Sequence, residues 1–193
     1  MSTRRFITRM GQQVTPDAVF DAWSSADLTA MRAAVAVHTN PVDRHHLLQS
    51  LVEALYRRRS EAGIATELLS IAWLHIQELP ELLAGLEADK RATYEATAER
   101  AKQISSLVGA TYVEPEPYSS AGWPLVSTFD RASRVLCERR EFERAKDVWR
   151  AAARTGYLDA DQLDVVLSRV EKDKIRAEKK SAKEKRTIAA KRA

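Results

Sequence analysis

The chain has 193 residues, of which 45% are apolar and 30% charged, with only six glycines and six prolines; that composition excludes a disordered or β-rich polypeptide and favours one compact helical domain or two small ones. No apolar run approaches the ~20 residues that span a bilayer, and the basic start MSTRRFITRMGQQ has no apolar stretch behind it, so the expected compartment is the cytoplasm and no membrane contact is expected. A single cysteine, Cys137, excludes an intrachain disulfide and a cysteine-built zinc site.

The formal charge of +4 is unevenly spread. From Arg169 to Ala193 eleven Lys/Arg stand against four Asp/Glu, a balance of +7 that leaves −3 for residues 1–168. A basic tail of this kind raises the local concentration of phosphate-bearing or acidic partners at low salt.

In chain order, Thr15-Pro16-Asp17 reads as an N-cap with proline in the first turn. It opens a short helix with Val19, Phe20 and Trp23 inward and an end near Ser24. Ser25 is expected to cap a second helix whose stripe, Leu28, Met31, Val35 and Val37, ends before Asn40-Pro41. Asn40 caps and Pro41 begins a third, with Leu47, Leu48, Leu51, Val52, Leu55 and Tyr56 on one face. Arg57, Arg58 and Arg59 suit the negative end of its dipole, and Gly63 supplies the break. A return helix over Ile64–Gln77 is apolar most of the way round and is expected to be covered on two sides. Pro80 is expected to start a further segment through Leu82, Leu83 and Leu86, prolonged by the thinner stripe Tyr94, Thr97, Ala101, Ile104 and Val108. From Gly109 to Pro124 the pattern stops. Prolines at 115, 117 and 124 mark a connector, whose Tyr112, Tyr118 and Trp123 are expected to pack against the helices.

Beyond it, two helices of about four turns are joined at Arg139 to Phe142. Phe129, Ala132, Ser133 and Leu136 face Ala145, Trp149 and Ala152, small residues admitting close approach while the aromatics interlock. An aromatic, two small residues and a leucine, then a turn, then alanine, aromatic and alanine at intervals of four and three resemble one tetratricopeptide repeat over Val126 to Tyr157. The glycine and proline that punctuate the family's repeat are absent; Arg140 and Gly156-Tyr157 stand at these turns. His46 to Pro80 resembles a degenerate copy, with Leu48, Leu51, Leu55 and Tyr56 facing Ala65, Leu68, Ala72 and Ile76. The pattern with a terminal helix bearing Leu163, Val166, Leu167 and Val170 also resembles repeat-containing bacterial or phage proteins of undefined role. The resemblance implies an all-α fold: a short right-handed stack of antiparallel helical hairpins with a basic C-terminal helix. The organisation expected is N-terminal helices over 1–39, a degenerate repeat unit over 40–108, a connector over 109–125, a hairpin with capping helix over 126–170 and a basic tail over 171–193.

On that resemblance the groove-facing residues are Ser127, Asp130, Arg134, Cys137 and Glu138, with Arg131 beside them. Family members that clamp a chaperone's C-terminal carboxylate use lysine and asparagine on these surfaces, whereas acid and arginine here imply a different, charged peptide. The function expected is a non-catalytic protein-interaction scaffold without cofactor. Its tail, through Lys172, Lys174, Arg176, Lys179, Lys180, Lys183, Lys185, Arg186, Lys191 and Arg192, is available to an acidic surface. The alternative is sequence-independent nucleic-acid binding through the same cations, without base stacking because no aromatic residue follows Tyr157. A third reading rests on Arg32 and His38, whose spacing on a helix resembles the motif of HEPN ribonucleases, with histidine as base and arginine as phosphorane stabiliser. Asp43, His45, His46 and His75 are near enough in pattern to be tried as metal ligands. No ligand motif such as His-Glu-x-x-His closes around them, and no metal is expected.

Overall fold

The computed structural model describes residues 6–119 and 125–192, with the side chains of 186 and 188–192 left aside. It is mostly helical. The elements in order are β1 (Ile7–Arg9), β2 (Gln12–Val14), α1 (Ala18–Ser25), α2 (Leu28–Ala34), α3 (Pro41–Arg57), α4 (Ile64–Val108), α5 (Ser127–Glu138), α6 (Phe142–Arg154) and α7 (Ala160–Arg192). Contacts divide the chain into two compact units, Met1–Leu51 with Glu78–Leu125, and Val52–Gln77 with Val126–Ala193.

In the first unit β1 and β2 form an antiparallel hairpin in the register Ile7↔Val14, Thr8↔Gln13 and Arg9↔Gln12. Its two-residue turn, Met10-Gly11, has positive φ at both positions, the geometry that matches strand twist. These strands are too short to show an alternating pattern in sequence. Asp17, not Thr15, caps α1, its carboxylate accepting the Phe20 N–H at 2.8 Å. Asp27, not Ser25, caps α2 by accepting from Thr29 and Ala30. In both cases a carboxylate stands at the point where the chain turns helical, and it outcompetes the nearby hydroxyl. Because α2 stops at Ala34, Val35 and Val37 do not extend its stripe, and Val37 is exposed. Asn40 behaves as expected, its Oδ1 accepting the Asp43 N–H at 3.0 Å.

Pro80 does not open a helix but lies inside α4. Proline removes one backbone hydrogen bond at a cost of about 3 kcal/mol. Leu79, Leu82, Leu83 and Leu86, buried beside it, contribute ~1.5–3 kcal/mol each and hold the helix through the defect. Gly85 permits α4 to touch the start of α3, since a Cβ there would stand 2.3 Å from the Pro41 Cβ. Towards its end α4 leaves the core, and Ile104, Leu107 and Val108 are exposed. Residues 110–119 form neither helix nor strand, yet Tyr118 packs on Tyr94 with ring centroids 5.5 Å apart. Trp123 lies outside the described residues.

The second unit is built on α5 and α6, which pack along one another with Phe129, Ala132, Val135 and Leu136 set against Ala145, Val148, Ala151 and Ala152, all buried. Tyr157 closes one end, its ring 5.1 Å from Phe129 and its hydroxyl accepting the Val126 N–H. Trp149 stacks on Phe129, ring centroids 6.3 Å apart, as the interlocking pattern implies, but it is not enclosed. It is half-buried at the edge of the seam, its Nε1–H donating to Ser133 Oγ at 2.9 Å, while Val148 takes the inner place.

Both helices end in the same way. After α5 the Glu141 N–H bonds the Leu136 carbonyl and Arg140 bonds Cys137; after α6 Tyr157 bonds Ala152 and Gly156 bonds Ala153. These are Schellman closures, which require a left-handed residue. Gly156 supplies it at φ 76°, whereas Arg140 must adopt φ 63°, so the turn glycine missing from the repeat pattern is replaced by a strained arginine. Asp159 and Gln162 then cap α7 reciprocally, at 2.7 and 3.1 Å. Leu163, Val166 and Leu167 are half-buried and Val170 is buried.

Two outcomes follow for denaturant unfolding. Arg140→Gly raises stability by about 0.5–1 kcal/mol, because the left-handed conformation costs glycine little; a loss would refute the strain. Phe129→Ala costs about 3–5 kcal/mol as a core truncation, and Trp149→Ala only about 1–2, an order that reverses if Trp149 is the enclosed residue.

Candidate functional site

The second unit carries a cavity of about 540 Å³ between α5 and α7. Helical spacing makes it. On α5, Asp130, Ser133, Arg134, Cys137 and Glu138 recur at three- and four-residue intervals and share a face; on α7, Val166, Arg169, Val170, Asp173 and Arg176 do the same. Tyr56 and Arg59 border it at the end of α3, and Phe142 and Trp149 of α6 add aromatic surface.

Its charges are largely matched. Arg134 Nε meets Asp130 at 2.9 Å, Arg59 Nε meets Glu138 at 3.0 Å and Arg176 Nη1 meets Asp173 at 3.3 Å. Arg59 also lies over the Tyr56 ring, 4.2 Å from its centroid, and is held there by cation–π attraction. Arg169 is exposed at the same cavity and makes no ion pair among the described residues. Burial, aided by the Asp173 and Glu138 carboxylates, pushes the Cys137 thiol above its ordinary value against a bond from Ser133; it is a neutral lining group, not an activated nucleophile.

Of the residues the sequence singles out, Asp130, Arg134, Cys137 and Glu138 line the cavity together. Ser127 and Arg131 do not. Ser127 is half-buried in the first turn of α5, and Arg131 turns to Glu53 at 3.0 Å and over Tyr56 at 4.7 Å. Of the tail, Arg176 reaches the cavity, while Lys172, Lys179, Lys180, Lys183 and Lys185 are exposed and Lys174 is half-exposed near Glu171. The side chains of Arg186, Lys191 and Arg192 lie outside the described residues. Arg169, Val166 and Asp173 escape a reading that separates a capping helix from a tail at 171; their shared spacing across that boundary is the signal that would have found them.

The Arg32–His38 pair does not sit on one helix. Arg32 is in α2 and His38 is in the following loop, because the chain leaves the helix after Ala34. His38 borders a cavity of about 790 Å³ in the first unit with Arg44 and Glu78. Arg44 there is tied to Glu78 by two bonds of 2.8 Å and to the Val35 carbonyl at 2.5 Å, an assembly that fastens the loop to α3 and α4.

Among the described residues no three of His, Cys, Asp and Glu come together so as to hold a metal. Asp43 is buried and accepts from Arg9 at 2.6 Å, Asn40 at 2.6 Å and the Trp23 Nε1–H at 3.2 Å. His46 stacks on Trp23 at 4.8 Å. His75 Nδ1 lies 2.7 Å from Thr128 Oγ1 in the second unit. Burial and the neighbouring His46 lower the His45 pKa to about 4, and burial with Arg9 lowers that of His46, Asp43 opposing.

The chain matches no family model, no curated protein and no solved structure. Among the described residues no helix is long and apolar enough to cross a membrane.

The histidines set an acid limb. His45 titrates near 6.5 when unfolded and near 4 when folded, so the unfolded chain takes up a proton that the folded chain refuses. Stability is therefore full above pH 6.5 and falls as the pH drops towards 4. Between pH 7 and pH 4.5 the intact protein loses about 2–3 kcal/mol more than His45→Leu, read from urea midpoints. Parallel curves for the two proteins would contradict this.

Proposed function

We propose that the chain is a cytoplasmic, non-catalytic interaction scaffold of tetratricopeptide-like hairpins, and that the cavity between α5 and α7 receives a peptide segment of another protein. In this reading the degenerate hairpin expected over His46 to Pro80 contributes its residues 52–77 to the second unit, α5 and α6 form the next hairpin, and α7 its cap. Stacked in a right-handed sense, the hairpins leave one concave face for a partner.

The observation that carries the reading is the chemistry of that face. Three arginines are matched by three carboxylates and one, Arg169, is left over, beside Trp149, Phe142, Val166 and Val170. A surface so nearly balanced gives little long-range attraction to a strongly charged ligand of either sign. It suits an apolar side chain flanked by one carboxylate, the first against the aromatic and aliphatic groups and the second on the Arg169 guanidinium. The saturated ion pairs fix the walls and set register more than affinity.

Selection from a displayed random peptide library tests this directly. Bound sequences are expected to share an apolar residue next to Asp or Glu. Arg169→Glu weakens a selected peptide at least tenfold, and Trp149→Ala by a similar factor. Sequences without a common acid, or binding indifferent to Arg169, would sink the proposal.

A further inference from the structure

A second surface lies on α7 itself, and its chemistry differs from that of the cavity. We propose that the outer face of α7 contacts the phosphate backbone of a nucleic-acid duplex without regard to base sequence. Lys172, Arg176, Lys179 and Lys183 recur at intervals of four, three and four, with Lys180 at their edge. In a helix of 3.6 residues per turn these five fall within an arc of about 100°, and the acids Glu171, Asp173, Glu178 and Glu184 all fall outside it.

All five cations are exposed. Buried Val170 marks the side on which α7 joins the second unit, and Lys179, nine residues on, stands about 180° round the helix from it. A surface hollow upstream is lined by Asp164, Val165, Ser168, Arg169 and Lys172, so among the described residues only α7 lines it. Of the acids, Glu171 is already occupied by Lys146 at 2.7 Å, while Asp173 holds Arg176 at the cavity edge of the stripe, leaving the four lysines as its free cations among the described residues.

From Lys172 to Lys183 the stripe runs about 16 Å along the axis, a length over which a duplex presents roughly ten phosphate charges. Charge complementarity thus extends along the whole stripe. No aromatic residue follows Tyr157, so bases of a single strand have nothing to stack on. The cationic arc holds no large apolar side chain, Ile175 lying beside it, so there is nothing to insert into a lipid surface. What the face offers is counterion release, and a duplex backbone is the partner with the matching density of charge.

The test uses the full chain and two unrelated 25-base-pair DNA duplexes, with affinity measured by fluorescence anisotropy from 50 to 200 mM salt. Both duplexes are expected to bind equally, with a slope of log affinity against log salt of about −3.6 for four phosphates neutralised by Lys172, Lys179, Lys180 and Lys183, Arg176 being held by Asp173. Lys179→Gln with Lys183→Gln reduces that slope to about −1.8 and the affinity at least tenfold. Lys174→Gln with Lys185→Gln removes the same net charge from the other side of α7 and changes affinity less than threefold. Glutamine preserves helix, and the stripe pair leaves every cavity residue intact, so a negative result here does not touch the peptide proposal. No binding at 50 mM, equal losses in the two double variants, equal binding to anionic phospholipid vesicles, or displacement by polyglutamate at equal charge overturns the inference.

Discussion

Alanines at 132, 145, 151 and 152 let α5 and α6 approach closely enough for Phe129 and Leu136 to be wholly enclosed, and the candidate site depends on that contact. A helix pair separated by larger side chains would need the second aromatic inside the seam. Here the inner position falls to Val148, and Trp149 is displaced to the rim, where its ring and its bond to Ser133 form part of a wall. The cavity is thus made by how tightly the hairpin closes, and its chemistry by the residues that closure excludes.

The first unit is organised differently. Its constraint is electrostatic: a buried Asp43 carboxylate at the first turn of α3 gathers Arg9 from β1, Trp23 from α1 and Asn40 from the cap. Leaving any of these donors without the carboxylate, or the carboxylate without them, costs far more than the pair contributes over a hydrophobic substitute. Such a cluster fixes the placement of short elements that bury little surface of their own. The three-residue strands and the seven-residue α2 are elements of this kind.

Legibility in the sequence followed the source of stability. Where burial on one helical face dominates, as at Leu47, Leu48, Leu51 and Leu55 or at Phe129, Ala132 and Leu136, spacing alone places the residue correctly. Where a local feature competes with distributed burial, single residues mislead: Pro80 reads as a boundary but is carried through by the leucines around it. The caps Asp17 and Asp27 each stand two positions beyond the hydroxyls, Thr15 and Ser25, that resemble caps in sequence, a shift decided by backbone geometry. Half of the cavity, from Asp130 to Glu138, was visible as a helical face. The other half was not, because Arg169 and Asp173 look like the start of a solvated tail until α7 is seen as one element.

That continuity bears on the cost of presenting charge. Starting a helix is the expensive step, and adding turns to an existing one is cheap. α7 begins on a reciprocal cap at Asp159 and Gln162 and is secured at Val170, so its later turns propagate from a nucleus already formed. The lysines beyond are carried on a pre-organised rod, so engaging them would not first require a coil to be frozen.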